Sequence, residues 1–533
     1  MSRAIPAATL GLLAVAGALA GCTVGPRYRT PSLAPVTPSA FAEANLASSS
    51  QPPPGRWWRL YDDAALDRYV ERALTRNTDL RQAAAALAEA RGVLDEARAG
   101  RFPSTTVSTS ATRSRSSTVT GAAAGAAAGG AAGGGAGGSA GGTGAGGAAG
   151  GSAGGGSGAG AGGGAGAATG STLNPVARTI YSVGFGATYE VDLFGRIRRG
   201  VDAARADVEA QAAAQDLART AVAAETTRAY LGACTAAQQS AVALQSFQLV
   251  GSSLGIITRQ RDLGAASDYD VANVRALLEQ ARATLPPLDA QRRASLYALA
   301  VLLGDPPEQV PPEAAACTAP PPLVLPVPVG DGAGLLARRP DVRAAERRLA
   351  RAVYTINVAT ADLYPTVTLF GSISTSGTRL GDLGRRPNTA FSLGPLLTWD
   401  FPNLIAARAR VRQSEARAQG ALADFDGTVL VALRDLEQAL AVYGGDLDRR
   451  AALLAARDAA AEANRLSGVR AEGGAISFLD QLTVQRTLVA AQADLAAGEA
   501  ALAADQVAVF RALGGGWEEA PPIPTTPLPV KAR

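Results

Sequence analysis

Few side chains in this sequence could carry out chemistry, and their types exclude most enzyme mechanisms. The chain of 533 residues contains no histidine, so it offers neither an imidazole base nor an imidazole metal ligand. Its three cysteines, Cys22, Cys234 and Cys317, are too scattered for a zinc or iron–sulfur site, and its one lysine, Lys531, follows no glycine-rich phosphate loop. The formal net charge of +4 is small, and arginines are interspersed with acids. The sequence therefore predicts a protein that is not an enzyme, binds no metal and has no nucleic-acid partner.

Cys22 ends a short apolar segment at the N-terminus. Arg3 precedes an apolar run, Ala7 to Ala18, that is shorter than the roughly 20 residues needed to span a bilayer. Residues 1–21 are therefore predicted to be a secretory signal peptide. The ending Leu-Ala-Gly-Cys resembles a bacterial lipobox, which implies cleavage before Cys22 and its acylation, for example by palmitate. Thr23 is not the aspartate of the enteric inner-membrane sorting rule, so the resemblance implies the outer membrane. The alternative is an ordinary signal peptide with a chance cysteine.

Cys234 and Cys317 lie in the exported part of the chain, where disulfides persist. Either the two residues pair, or they remain as buried small side chains. Spacing alone does not decide between these alternatives.

The sequence contains an internal repeat. Leu74 to Arg81 matches Leu336 to Arg343 at an offset of 262, whereas Asp270 matches Asp480 at an offset of 210. The first copy therefore holds 52 more residues, all between Pro103 and Val183. In that insertion, residues 121–170 are only Gly, Ala, Ser or Thr, a composition that predicts a disordered external loop.

Strands are predicted on both sides of this insertion and at the matching place in the second copy. Apolar residues alternate with polar ones in segments that begin near Val183, Val367 and Leu393, which predicts half-buried strands or barrel strands. A partner strand is predicted after Pro103, where Thr105 and Val107 are followed by serines and threonines. Beyond Cys22 we find no apolar stretch long enough for a transmembrane helix, so a membrane crossing would need a closed barrel.

The remaining sequence predicts long helices. Alanine-rich segments without proline run from about Ala203 to Arg261 and from about Ala406 to Ala471, and 60 helical residues would reach about 90 Å. A second helix follows in each copy, and Pro286-Pro287 should kink the first of these. Ser267-x-x-Asp270 and Ser477-x-x-Asp480 precede these returning helices and predict capping boxes.

These features divide the chain into six segments. They are a signal peptide (1–21), a lipidated N-terminal segment (22–64), a first repeat (65–304), a Pro-rich linker (305–330), a second repeat (331–514) and a C-terminal tail (515–533).

Several motifs resemble the outer membrane factor lipoproteins of tripartite efflux systems, which are TolC-like and of the OprM/NodT type. The likeness spans the mature chain except for the Gly/Ala tract and about the last dozen residues. One departure is Asn403-Leu404-Ile405-Ala406, where such proteins usually carry a Gly-Arg pair. The motifs that carry the resemblance are Cys22-Thr23-Val24-Gly25-Pro26-x-Tyr28-x-x-Pro31, Trp57-Trp58, Asp192-Leu193-Phe194-Gly195-Arg196, Leu335 to Glu346 and Ala361-Asp362-Leu363-Tyr364-Pro365.

The resemblance implies an α+β membrane protein in which each chain of a homotrimer gives four strands to one twelve-stranded β-barrel. A long α-helical periplasmic tunnel, built from the two repeats, would continue the barrel. The implied function is a passive outer membrane duct that exports small toxic compounds. An inner membrane pump of the RND type and a periplasmic adaptor would be its partners, with outer membrane lipid around the barrel. No cofactor is expected except the covalent lipid on Cys22.

In such a trimer the two helix turns would meet at the periplasmic tip of the tunnel. Carboxylates there would close the entrance and select cations. The gate is then predicted at Asp268, Tyr269, Asp270, Phe478, Leu479 and Asp480. Adaptor contacts are predicted at Arg259, Arg261, Gly264, Arg470 and Gly474.

Two tryptophans and three arginines are predicted to have structural roles, and the sequence also allows other functions. Trp57 and Trp58 are expected to be packing residues, and Arg338, Arg339 and Arg343 to be solvated or ion-paired. A duct for protein secretion and a trimeric coiled-coil adhesin lipoprotein are the alternative functions. A lipoprotein hydrolase is disfavoured because the chain has no histidine.

Overall fold

The computed structural model describes residues 24–32, 40–43, 48–116, 176–323, 326–473 and 475–524, with the backbone alone at 115, 116, 176, 472 and 478. The signal peptide, Cys22, the tract 121–170 and Gly474 lie outside these residues. The chain forms two compact units. The helical unit comprises Met1–Pro103, Tyr189–Leu369 and Pro395–Arg533, and the strand unit comprises Ser104–Thr188 and Phe370–Gly394.

The order of elements confirms the predicted long helices and the four predicted strands. Asn77 and Asp63 cap the first two helices, because their side-chain oxygens accept backbone N–H groups of the first turn. In chain order the elements are β1 (Ser48–Ser49), α1 (Ala64–Arg76), α2 (Thr78–Ala99), β2 (Ser104–Ser116), β3 (Val176–Val191), α3 (Arg196–Asp262), α4 (Asp268–Ala283), α5 (Leu285–Leu302), α6 (Pro312–Ala315), β4 (Val327–Pro328), α7 (Gly332–Arg338), α8 (Pro340–Ala361), β5 (Thr366–Gly377), β6 (Thr389–Thr398), α9 (Ile405–Glu472) and α10 (Phe478–Leu513).

The long helices α3 and α9 contain 67 and 68 residues, which corresponds to about 100 Å each. Each packs along α8 and α10. The helix predicted to kink at Pro286-Pro287 is interrupted by one residue, Thr284, which lies between α4 and α5 and keeps right-handed helical dihedrals. This agrees with the predicted kink, because prolines lack the N–H groups that would donate to the carbonyls of the preceding helical turn.

One described helix, α3, is long and apolar enough to cross a membrane by length and composition. This corrects the expectation that no segment after Cys22 meets that criterion. A single helix of this kind is weak support for a membrane span, since core helices of soluble proteins meet the same criterion.

The core of the helical unit forms around two tryptophans of the N-terminal segment. Trp57 stacks on Phe510 of α10 with ring centroids 4.7 Å apart, and Trp58 packs edge-on against Trp57. Both indoles are buried, which confirms the prediction of a packing role. Tyr230 of α3 donates a 2.8 Å hydrogen bond to Asp63, which ties α3 to the capped start of α1.

The three arginines around the α7–α8 junction are ion-paired, as predicted. Arg338 pairs with Glu518 at 3.1 Å, and Arg343 pairs with Asp216 and lies over the Trp517 ring. Arg339 is the buried member of the three and is only 8% exposed. Its guanidinium pairs with Asp341 and donates to the carbonyl oxygen of Ala512, so its burial is compensated.

The predicted linker 305–330 is packed onto the helical unit. It contains α6, and β4 pairs in parallel with β1. Tyr69 of α1 accepts a 3.1 Å hydrogen bond from the backbone N–H of Ala314. A disulfide joins Cys317 in this segment to Cys234 of α3, so of the two alternatives left open by the sequence, the structure has the pair.

The four long strands form one sheet in the order β2-β3-β5-β6, and its two faces differ in polarity. On one face hydroxyl groups pair across strands: Ser110 with Ser182 at 2.7 Å, and Ser372 with Ser392 at 2.8 Å. On the other face Val107 lies opposite Phe185 in the β2–β3 register. Phe391 and Leu393 of β6 are 83% and 84% exposed. One apolar face of the sheet is therefore left uncovered in the single chain.

The two connections from strand to long helix are built differently. After β3, Asp192 accepts from the backbone N–H groups of Ile197 and Arg198, and Gly195 has a φ of +83°. That left-handed conformation favours glycine. Before α9, Leu404 occupies the N-cap position without a side-chain cap. The departure noted in the sequence at 403–406 thus coincides with an uncapped helix start.

Candidate functional site

The predicted gate and adaptor residues lie in two turns, α3–α4 and α9–α10. A small apolar cluster links three of the helices that border these turns. Its buried members are Val250 and Ile257 of α3, Val271 and Val274 of α4, and Leu482 of α10. Since Val271 directly follows Asp270 and Leu482 is two residues after Asp480, the cluster brings the starts of α4 and α10 into one neighbourhood.

The α3–α4 turn ends one helix and starts the next with local hydrogen bonds. Gly264 has a φ of +74°, and the N–H of Ala265 donates to the carbonyl of Gln260 at 2.8 Å. This is the glycine-containing C-terminal motif of helices. Ser267 then caps α4, because its hydroxyl accepts from the N–H of Asp270 while Asp270 Oδ2 accepts from the N–H of Ser267 at 3.0 Å.

The α9–α10 turn repeats this arrangement. The N–H of Ala475 donates to the carbonyl of Arg470 at 2.8 Å. Ser477 caps α10, with 3.2 Å from the N–H of Asp480 to the serine hydroxyl and 3.2 Å from the N–H of Ser477 to Asp480 Oδ2. Both predicted capping boxes are therefore confirmed.

The capping hydrogen bonds stabilise the ionised carboxylates. The Ser267 hydroxyl and backbone N–H lower the pKa of Asp270, and the same groups of Ser477 lower the pKa of Asp480. Both carboxylates are thus charged at neutral pH. Asp268 forms an ion pair. Its carboxylate lies 3.3 Å from the guanidinium of Arg261, which also pairs with Asp262.

The surface of the turns also carries exposed apolar and basic side chains. Leu263 and Tyr269 are 84% and 70% exposed, and Leu479 is exposed as well. Arg259 and Arg470 lie in the last turns of α3 and α9, where cations interact favourably with the helix dipole. Of the other predicted residues, Gly474 and the side chain of Phe478 lie outside the described part.

Sequence reasoning missed two contacts in this region. Arg261 was assigned to an adaptor surface, yet its guanidinium also neutralises Asp268. Ser253 of α3 donates a buried 2.8 Å hydrogen bond to Gln485 of α10. Arg261 and Asp268 are only seven positions apart in sequence, which offered a signal for the first contact, whereas nothing local pairs residues 232 positions apart.

In the described part of the chain no group of three or more Cys, Asp or Glu side chains could hold a metal ion. The chemistry available at these turns is therefore that of fixed carboxylates, guanidinium groups and exposed apolar side chains. Such groups attract, repel or contact other molecules.

A sheet with one hydroxyl-rich and one apolar face, together with long helices that end in capped turns, is typical of a membrane-associated class of protein. A comparison with protein families identifies the family. The family model "Outer membrane efflux protein" matches residues 152–305 and 334–515. The chain belongs to this family.

Individual relatives match along nearly the whole chain. Outer membrane protein OprJ of Pseudomonas aeruginosa is 30% identical over 516 residues, which cover 96% of this chain and 97% of OprJ. Nodulation protein T of Rhizobium leguminosarum bv. viciae is 29% identical, with 96% and 93% covered. The solved structure of the outer-membrane channel OprN is 30% identical and superposes with a TM-score of 0.77, covering 93% of this chain and all of OprN.

Proposed function

We propose that the protein is the outer membrane component of a tripartite efflux system, a passive trimeric duct that exports small toxic compounds. The observation that carries this proposal is the four-stranded sheet, which has one hydroxyl-rich face and one exposed apolar face. A strand that faces lipid on one side and water on the other has this composition. Membership of the outer membrane efflux protein family and the likeness to OprN support the same assignment.

The open edges of the sheet favour a trimer. β2 and β6 are its outer strands, and unpaired edges are not tolerated in a hydrocarbon environment. Copies of the chain must then complete a closed barrel whose strand number is a multiple of four. Eight strands leave an interior that side chains fill. Twelve strands, from three chains, form the smallest barrel of this kind with room for a duct.

Matching element boundaries support two structural repeats. α2 and α8 each contain 22 residues, and their first residues, Thr78 and Pro340, differ by the offset of 262 found in the sequence. α4 and α10 begin at Asp268 and Phe478, which differ by the second offset of 210. The six-segment division of the chain given above rests on this correspondence.

At the helix turns we place the gate of the duct and the contact with a periplasmic adaptor and an inner membrane pump. Three-fold symmetry would bring Asp270 and Asp480 of every chain around one axis, where like charges repel and cations are attracted. Leu263, the most exposed apolar side chain of the α3–α4 turn, is suited to adaptor contact.

The lipid anchor at Cys22 is part of this proposal. The N–H of Val24, two residues later, approaches the carbonyl of Phe194 at 3.4 Å, and Phe194 stacks on Tyr364 at the connection between strand and helix. An acyl chain near this connection would lie at the membrane surface from which the strands start.

Replacing Cys22 by serine is expected to abolish acylation. The wild-type protein should incorporate an alkyne-labelled fatty acid, whereas Cys22→Ser should show no incorporation above background. Cys317→Ser provides a matched control that keeps Cys22 and should label fully. Equal labelling of Cys22→Ser and wild type would refute the anchor.

Cross-links between edge strands test the closed barrel directly. Ser108→Cys on β2, combined in turn with Ala390→Cys or Ser392→Cys on β6, should give dimers and trimers on non-reducing gels of oxidised membranes, and no larger species. The pair Ser372→Cys with Ser392→Cys is the control, because these hydroxyls lie 2.8 Å apart within one chain. That control should remain monomeric. Monomers from every edge pair, or a ladder beyond the trimer, would contradict the proposed assembly.

A further inference from the structure

The strand unit carries a larger net positive charge than the whole chain, whose other residues nearly balance. Its two segments contain one acidic residue, Asp382, so their formal charge is +5, larger than the +4 of the complete sequence. Residues 117–175 contain no acidic residue that could offset this charge. The basic residues of the unit are Arg113, Arg115, Arg178, Arg379, Arg385 and Arg386.

These arginines concentrate at the end of the sheet where β2 and β5 finish and β3 and β6 begin. Arg113 lies near the end of β2, and Arg178 lies near the start of β3. Arg379 follows β5 by two residues, and Arg385 and Arg386 shortly precede β6. Gly184 of β3 lies beside Ser374 of β5, since a Cβ added to the glycine would be 3.6 Å from the serine Cβ. The ends of the two strand pairs that carry the arginines therefore lie at a similar height along the sheet.

The β2–β3 register assigns Arg113 to the apolar face. Arg113 pairs with Thr179, Ala111 with Tyr181, and Val107 with Phe185, so all these residues share one face of the sheet. Arg113 is six positions after Val107, which corresponds to about 20 Å along the strand. Arg178 pairs with Ser114 and belongs to the opposite, hydroxyl-rich face.

Within the described residues, three of these guanidinium groups have no counter-charge. Arg385 lies 3.5 Å from Asp382. Among the residues that the structure describes, no carboxylate lies within ion-pair distance of Arg113, Arg379 or Arg386, and all three are exposed.

We propose that Arg113 and Arg379 belong to a phosphate-binding band, and that the band binds the phosphorylated headgroups of anionic lipids at the outer end of the strands. The assignment rests on the proposed insertion of these strands in the outer membrane. Guanidinium groups bind phosphate through paired hydrogen bonds, and long arginine stems can follow an apolar surface to reach them. Because Arg113 continues a face that carries exposed apolar side chains, the site fits a ligand with both acyl chains and phosphate.

The test compares Arg113 and Arg379 of the band with Arg178, which belongs to the hydroxyl-rich face of β3. Full-length protein in detergent is titrated with lipid A, a diphosphorylated glycolipid, and bound lipid per chain is measured by native mass spectrometry. Wild type should bind lipid A, and R113Q/R379Q should bind it about tenfold more weakly, the loss expected for a charged hydrogen bond. R178Q removes a charge from the opposite face and should bind as wild type does.

Three results would overturn the proposal. They are equal binding of dephosphorylated lipid A, an equal loss in R178Q, and inorganic phosphate that displaces lipid A at the same concentration as lipid A itself. The last result would identify a free-phosphate site. Failure here is distinguishable from failure of the proposed duct, because the edge-strand cross-links and channel conductance are measured without lipid A.

Discussion

Asp480→Asn is expected to increase the conductance of the channel in planar bilayers and to reduce its preference for cations. The substitution removes one ring of charge from the trimer, while the asparagine oxygen can still accept the N–H of Ser477. A unit charge about 4 Å from an ion in water changes the local concentration of that ion about fivefold. We therefore expect a change of severalfold in the cation-to-anion permeability ratio, and a larger change in Asp270→Asn/Asp480→Asn.

Ser477→Ala is the matched control for this experiment. It removes the hydroxyl that accepts from the N–H of Asp480 and keeps the carboxylate, so selectivity should stay close to wild type while the helix start becomes less stable. Glu462→Gln, on the exposed surface of α9, removes a carboxylate that pairs with Arg465 and should change neither property. If Ser477→Ala and Asp480→Asn change selectivity equally, Asp480 acts only as a helix cap.

The pH dependence has a defined direction. Serine hydroxyl and backbone N–H groups lower the pKa of Asp270 and of Asp480 below the usual aspartate value of about 3.9. Wild-type cation preference should therefore persist as the pH falls from 7 to about 4, and disappear below that range. The stability that these caps supply is likewise present above the unfolded-state pKa and is lost as the pH falls through the folded-state pKa.

Removal of the disulfide between Cys234 and Cys317 is expected to lower the stability of the helical unit. The bond closes a loop with a sequence separation of 83, and the chain-entropy model assigns about 4.5 kcal/mol to a loop of that length, with about 2–4 kcal/mol typical of measured cases. Cys234→Ala/Cys317→Ala should therefore unfold at a lower temperature, measured by helical circular dichroism. Alanine is preferred to serine because Cys234 is fully buried.

Reduction of the wild-type protein provides the control. Cys22 is the only other cysteine, so a reductant should reproduce the effect of the double substitution, and should have no further effect on the variant. A variant that melts at the wild-type temperature under oxidising conditions would show that the linker 305–330 is held by its other contacts, such as that between Tyr69 and Ala314.

The sequence by itself determined the features that depend on local physics. Alternation predicted three of the four strands, proline-free alanine-rich segments predicted α3 and α9, and the Ser-x-x-Asp spacing predicted both capping boxes. These patterns suffice because strand faces, helix length and capping bonds involve residues that are close in the chain. The same local logic predicted a disturbance at Pro286-Pro287, and the helix is interrupted there by one residue, Thr284.

Contacts between residues distant in sequence were decided only by the tertiary structure. No spacing rule pairs Cys234 with Cys317, buries Arg339 beside the carbonyl of Ala512, or places Ser253 against Gln485. The sheet register that separates Arg113 from Arg178 is of the same kind, because a shift of one residue would exchange the two faces. Such contacts arise from the way helices and strands pack in three dimensions, and local propensity carries no information about that packing.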